Sequence, residues 1–208
     1  MGILDNFFRS KWIEKTNVNA KADTSDLLPT AELLEEMKFW DIISKSIKST
    51  KNQEDQEEFL IRELMKLSPK EIVGFRLRTD YLLYHSYKSE WWCAAYIMNG
   101  GCSDDGFEYF RCWVISRGRQ AYEMAMANPD NLVDQLDKTL ESYDFEGFWY
   151  VALNAFKRKT GKELYDYIDN AKFKMKEGAY PTFEFNWQED NPESMKRICP
   201  RLFSKFNN

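Results

Sequence analysis

Histidine is almost missing from this chain: His85 is the only one among 208 residues. Cysteine is sparse as well, and Cys93, Cys102, Cys112 and Cys199 form no CxxC pair. Together these shortages leave no donor set for a tetrahedral zinc site. They also leave no Ser-His-Asp or Cys-His order that does not depend on the single His. His85 itself lies among aromatics in LLYHSY and reads as a hydrogen-bonded structural histidine. No apolar run approaches the roughly 18 residues that a membrane-crossing helix needs. The first residues lack the apolar core of a secretory leader, and Asn6 stands where a myristoylation signal wants Ser or Thr. A basic surplus is absent too: 29 Lys and Arg face 34 Asp and Glu, for a net charge of −5. Nucleic-acid binding relies on clustered cations that neutralise phosphates, so no nucleic-acid partner is expected.

Aromatic residues, by contrast, are abundant. Fifteen Phe, eleven Tyr and seven Trp bring the aromatic share to 16% and the hydrophobic share to 43%. A chain of this length and composition can bury a sizeable core as one domain, which argues against disorder. Scattered, unpaired cysteines suit reduced thiols, so the expected location is cytoplasmic.

Along the chain, residues 1–30 divide into an amphipathic start and a polar linker. Ile3, Leu4, Phe7, Phe8 and Trp12 recur at helical spacing, and a polar stretch then runs to Leu28-Pro29. Residues 31–208 read as one helical domain. Leu33, Leu34, Met37, Trp40, Ile43 and Ile47 recur at three and four, and so do Phe59, Leu60, Leu64 and Leu67. Ser68, Pro69 and Glu71 spell a capped helix start. Helices are expected over 89–98, 104–118, 119–128 and 131–142, then from Phe145 to Phe156, with a last short one between Pro192 and Pro200. Only Thr182 to Trp187 alternates as a strand does, with Phe183, Phe185 and Trp187 on one side. The fold class is therefore mainly α, a single multi-helix domain with at most one short strand or hairpin near 182–187. The acidic run EDQEE at 54–58 reads as a solvated helix face.

Chemistry is concentrated in NGGCSDDGFEYFRCW, residues 99–113. Asn99-Gly100-Gly101 ends one helix, since glycine accepts the left-handed conformation of a helix C-terminus. Neither GxGxxG nor GxxxxGK follows, so this is not a phosphate loop. Ser103 caps the next helix, and Asp104 and Asp105 occupy its first turn, where the helix dipole favours negative charge. On a helical wheel Asp104, Glu108 and Arg111 share one narrow charged stripe on an otherwise apolar helix, and Asp105 lies apart. Such charges must be paired or line a cleft, because burying them alone costs several kcal/mol each. The candidate ligand- or partner-binding residues are thus Asn99, Asp104, Asp105, Glu108 and Arg111. They could be a cap plus an i, i+3 ion pair, a pocket floor, or a partner surface.

The stretch from Trp92 to Gly118 also resembles a family. Its pattern W-x-A-A-Y-x-x-N-G-G-x-S-D-D-x-F-x-Y-F-R-x-W-[LIV]-I-x-x-G is filled by Trp92, Tyr96, Asn99, Gly100, Gly101, Ser103, Asp104, Asp105, Phe107, Tyr109, Arg111, Trp113 and Gly118, among others. It is similar to the bacterial domain-of-unknown-function family DUF4240. Phe39-Trp40, LSPKEIVGF at 67–75 and NPDNL at 128–132 extend the likeness, which is best over 36–142. The resemblance implies kinship with regions described as molybdenum-metabolism regulators, some of them beside a WGR domain. No WGR triplet occurs here, so that partner domain's function does not transfer, and the resemblance carries no catalytic residues.

Two function classes stay open at this point. One is a non-catalytic binding or regulatory module organised around residues 99–111, with toxin neutralisation or partner regulation as variants. It would have a protein partner or associate with itself and need no cofactor. The other is an enzyme or ligand-binding protein with an Asp/Glu/Arg pocket. There Arg111 would grip an anionic group and Mg²⁺ or Mn²⁺ would be the fitting metal, since its ligands would be oxygens.

Overall fold

A computed structural model describes residues 21–137, 140–175 and 179–207, and helices dominate among them. The amphipathic start expected over residues 1–13 lies outside the described residues. In chain order the elements are α1 (Glu36–Ser49), α2 (Gln53–Leu64), α3 (Pro69–His85), α4 (Ser89–Asn99), α5 (Asp104–Ser116) and α6 (Arg119–Ala127). A 3-10 segment, Pro129–Gln135, then leads towards α7 (Glu146–Thr160). A 3-10 turn, Leu164–Tyr167, follows, and α8 (Pro192–Ile198) and α9 (Pro200–Phe206) complete the set.

Helix α3 packs against α1, α5 and α7. Its start obeys the sequence signal: Ser68 accepts from Glu71 N, and the Glu71 carboxylate accepts in return from Ser68 N. Every turn of α3 buries something, including Val73, Gly74, Phe75, Leu77 and Leu83, together with the polar Arg76, Thr79 and Asp80. Gly74 is needed for its size. A Cβ there would sit 2.9 Å from Leu34 N and 3.1 Å from Glu32 O. The bare backbone lets the incoming chain cross α3 and donate Leu34 N to Gly74 O at 2.9 Å. Helix α1 then starts at Glu36, capped by the Glu35 carboxylate, which accepts from Met37 N and Lys38 N. From the expected apolar set of α1, Met37 and Ile47 end up exposed.

Several local details differ from or extend the expectations. The described part of the polar lead-in is fastened: Ala22 N donates to Lys159 O, and Thr30 forms a parallel bridge with Ile168. The helix expected over 131–142 is instead a 3-10 segment, Pro129–Gln135, and its Asp130 side chain serves another element. Asp130 is buried and accepts from Arg201 N and Leu202 N at 2.9–3.1 Å, capping α9 from across the chain. Pro200 correspondingly opens α9 as well as ending α8. Lastly, Thr182 to Trp187 forms no strand, and no sheet occurs among the described residues. Its aromatic alternation is used for ring packing instead: Phe183 rests against Tyr87, Phe185 against Trp92, and Trp187 against Tyr96.

The acidic run on α2 is also not wholly solvated. Gln56 turns inward, is buried, and donates to Ser46 Oγ at 2.9 Å and Ser116 O at 3.1 Å. All four cysteines carry free thiols. No helix among the described residues is long and apolar enough to cross a membrane.

Candidate functional site

The turn between α4 and α5 is built as its sequence suggests. Gly100 takes φ 66°, a left-handed cap, and Gly101 follows at φ 146°. Ser103 Oγ accepts from Gly106 N at 3.1 Å and starts α5. Asn99 is turned away from the charged stripe. Its Oδ1 accepts from Tyr143 N at 2.7 Å, and its Nδ2 donates to Tyr143 O at 3.4 Å. It therefore staples the loop before α7 to the end of α4.

One turn into α5 the stripe meets a cavity of about 360 Å³. Asp104, Asp105, Glu108 and Arg111 all border it, so Asp105 joins the stripe from which the wheel separated it. The walls are aromatic: Tyr87, Trp92, Tyr109, Trp149, Tyr150 and Tyr180. The volume lies within the range of small-molecule sites, roughly 300–1,000 Å³.

Arg111 is 1% exposed and fully engaged. Its Nη2 donates to Glu108 at 2.6 Å, its Nη1 to Leu83 O at 2.6 Å and its Nε to Phe107 O at 3.2 Å. The rings of Phe107, Tyr180 and Tyr87 lie 4.5, 4.6 and 5.1 Å from the guanidinium carbon. Glu108 keeps 13% of its side-chain surface and accepts a second donor, the Tyr180 hydroxyl, at 2.8 and 2.9 Å from its two oxygens. Tyr180 in turn stacks on Tyr87, with ring centroids 4.5 Å apart and planes within 6°. Asp104 and Asp105 differ from Glu108: both are exposed, and neither has a hydrogen-bonded or ion-paired partner among the described residues.

The hydroxyls at this site are held protonated. Burial, partly offset by Arg111 and reinforced by Glu108, pushes the Tyr180 phenol well above its usual range. Burial and then Glu146 do the same for Tyr109, whose hydroxyl donates to Glu146 at 3.2 Å. Burial also raises Tyr87, and it lifts the nearby Cys102 thiol to about 12. These groups are donors at neutral pH, not bases or thiolate nucleophiles. Among the described residues no three His, Cys, Asp or Glu side chains group so that they could hold a metal ion. His85 is exposed at the end of α3, with its ring 4.3 Å from Tyr81, and borders no part of this cavity.

Of the residues that border this cavity, the sequence singled out Asp104, Asp105, Glu108 and Arg111 and none of the aromatic ones. Trp149 and Tyr150 come from α7, and Tyr180 comes from an extended arm that no local periodicity ties to α5. A second buried arginine was also missed. Arg76 on α3 is 2% exposed, pairs with Asp80 at 2.8 Å and donates to Trp149 O at 2.9 Å. Its guanidinium carbon lies 3.6 Å from the Trp149 ring centroid. The i, i+4 spacing of Arg76 and Asp80 was the available signal.

Residues 34–158 match the family model described as a protein of unknown function, DUF4240. The match spans more than half of the chain, and the chain belongs to that family. No curated protein and no solved structure matches it. Tyr180 and the arm that carries it lie beyond the matched residues.

Proposed function

We propose that this protein is a non-catalytic binding module whose ligand enters the aromatic pocket over α5. The observation that carries the reading is the combination of an open, ring-walled cavity with a buried arginine each of whose three nitrogens already donates inside the protein. An Arg111 free to grip a substrate anion would support the enzyme reading, but this one is 1% exposed. The raised phenols and the raised Cys102 thiol point the same way, since they donate rather than abstract protons. The unbridged cysteines agree with a reducing compartment, and a cytoplasmic location belongs to the proposal.

The test is a survey by nuclear magnetic resonance with small aromatic compounds of positive, negative and zero charge. The indole signals of Trp92 and Trp149 should shift for a subset of compounds, while that of Trp40, in the core beside Phe39, stays still. Binders should be recovered chemically unchanged. If no compound of any charge moves Trp92 or Trp149, the pocket reading falls.

A further inference from the structure

The charge at the pocket is not balanced. Arg111 is offset by Glu108, which it meets at 2.6 Å. Asp104 and Asp105 then remain exposed, with no cation paired to them among the described residues. Glu146 adds another exposed carboxylate beside Tyr109. Among the described lining residues the remaining opposing field is the N-terminus of α5, equivalent to roughly half an elementary charge, which the two aspartates outweigh. The described lining is therefore net negative, and its walls are aromatic rings, whose faces attract cations and not anions.

A second cavity, of about 450 Å³, adjoins the first and shares Tyr87, Trp92, Asp104 and Tyr180 with it. Its own lining is apolar in character, from Pro181, Phe183 and Phe185 on the arm. The two together form one groove in which Asp105 and Glu108 border the first cavity, Phe183 and Phe185 the second, and Asp104 and Tyr180 both. Phe185 is 54% exposed, which leaves one wall of the apolar end in contact with solvent.

We infer that the groove binds an organic cation, an alkylammonium or guanidinium head seated against Asp104 and Asp105 with an apolar or aromatic tail lying along Phe183 and Phe185. The inference rests on the pocket reading above and narrows it to one charge class. The sequence pattern is compatible with it: Asp104 and Asp105 come from the family-matched region, while the tail contacts come from the arm beyond it. The head-binding chemistry and the tail-binding chemistry thus reside on separate stretches of chain.

Phenethylammonium, phenethyl alcohol and hydrocinnamate share a ring and differ in charge, which makes them the probes. With the full chain at low salt, the ammonium should bind about tenfold tighter than the alcohol, and hydrocinnamate should bind weakest. Raising the salt should shrink the first gap and leave the alcohol unmoved, because partly exposed charge interactions are screened. In the D104N/D105N double variant the ammonium should fall to the alcohol's affinity, with alcohol binding and melting temperature kept. If that variant unfolds, the salt dependence of the unaltered protein decides alone. Hydrocinnamate binding as tightly as the ammonium, or an ammonium preference that ignores both salt and the double variant, overturns the inference and leaves the pocket reading standing. If none of the three binds while other compounds in the survey do, the inference alone falls; if nothing binds at all, both fall.

Discussion

Two buried arginines stand on neighbouring helices, and the same chemistry serves them differently. Arg76 on α3 pairs with Asp80 at i+4, and Arg111 on α5 pairs with Glu108 at i−3. Each guanidinium is at most 2% exposed, donates to a main-chain carbonyl of another element, and lies against aromatic rings. The difference is in the partner. Asp80 is 4% exposed, so the first pair is sealed. Glu108 is 13% exposed, borders the cavity and shares its charge with Tyr180. Removing water from both members of a pair is only worthwhile for stability when every donor finds a partner, and the first pair fits that structural role. Leaving one edge of the second pair at a cavity keeps its field available to whatever enters. Trp149 joins the two: it covers Arg76 and forms part of the pocket wall.

The comparison can be broken by removing each arginine in turn. Arg76→Leu strands Asp80 in the core and should lower unfolding free energy by about 3–5 kcal/mol, read by chemical denaturation. Arg111→Met leaves Glu108 with Tyr180 and access to water, so a smaller loss of about 2–3 kcal/mol is expected. Equal losses from the two variants would erase the distinction between a sealed and an open pair. Tyr180→Phe removes one donor from Glu108 and should cost about 1 kcal/mol. It should also change ligand response at Trp92 more than it changes melting; the reverse pattern would make Tyr180 a packing residue only.

At the far end of the same scale lies an exposed pair, Lys38 with Glu71, at 42% and 38% exposure. Hydrogen bonds from Lys38 and then from Ser68 hold the Glu71 carboxyl down to about 2, from an ordinary 4.5. A carboxyl lowered on folding stabilises the protein above its unfolded value, and that contribution is lost as pH falls from near 4.5 through about 2. With solvent screening and the cap counted together, Glu71→Gln should remove about 1 kcal/mol at neutral pH. It should also flatten the acid limb of the stability curve in that window. An unchanged acid limb would mean that the capping box contributes no pH dependence.

What could be read from sequence alone follows the range of the interactions. The caps at Ser68 and Ser103, the left-handed Gly100 and the Asp104–Glu108–Arg111 stripe depend on neighbours within a turn, and local spacing displays them. A 3-10 segment, Pro129–Gln135, replaces the helix expected over 131–142, and its Asp130 bonds to amides 71 and 72 positions away, a link that no local pattern reveals. Asn99 was named as a binding candidate at the turn, but it pairs with Tyr143, beyond any helical window, and does not border the cavity. The aromatic alternation at 183–187 was visible and its use was not. Alternation distinguishes two sides of an extended chain, and whether one side meets a strand or a bed of rings is settled by what lies beneath it.

The bond from Tyr180 to Glu108 spans 72 positions of chain. A ribosome adding about 5–20 residues per second needs on the order of 4–14 s to travel that distance. Through that interval the nascent chain already carries both members of the Glu108–Arg111 pair, with one wall of their pocket still unsynthesised. The segment that carries Tyr180 and finishes the groove is thus made only after the helices it closes over.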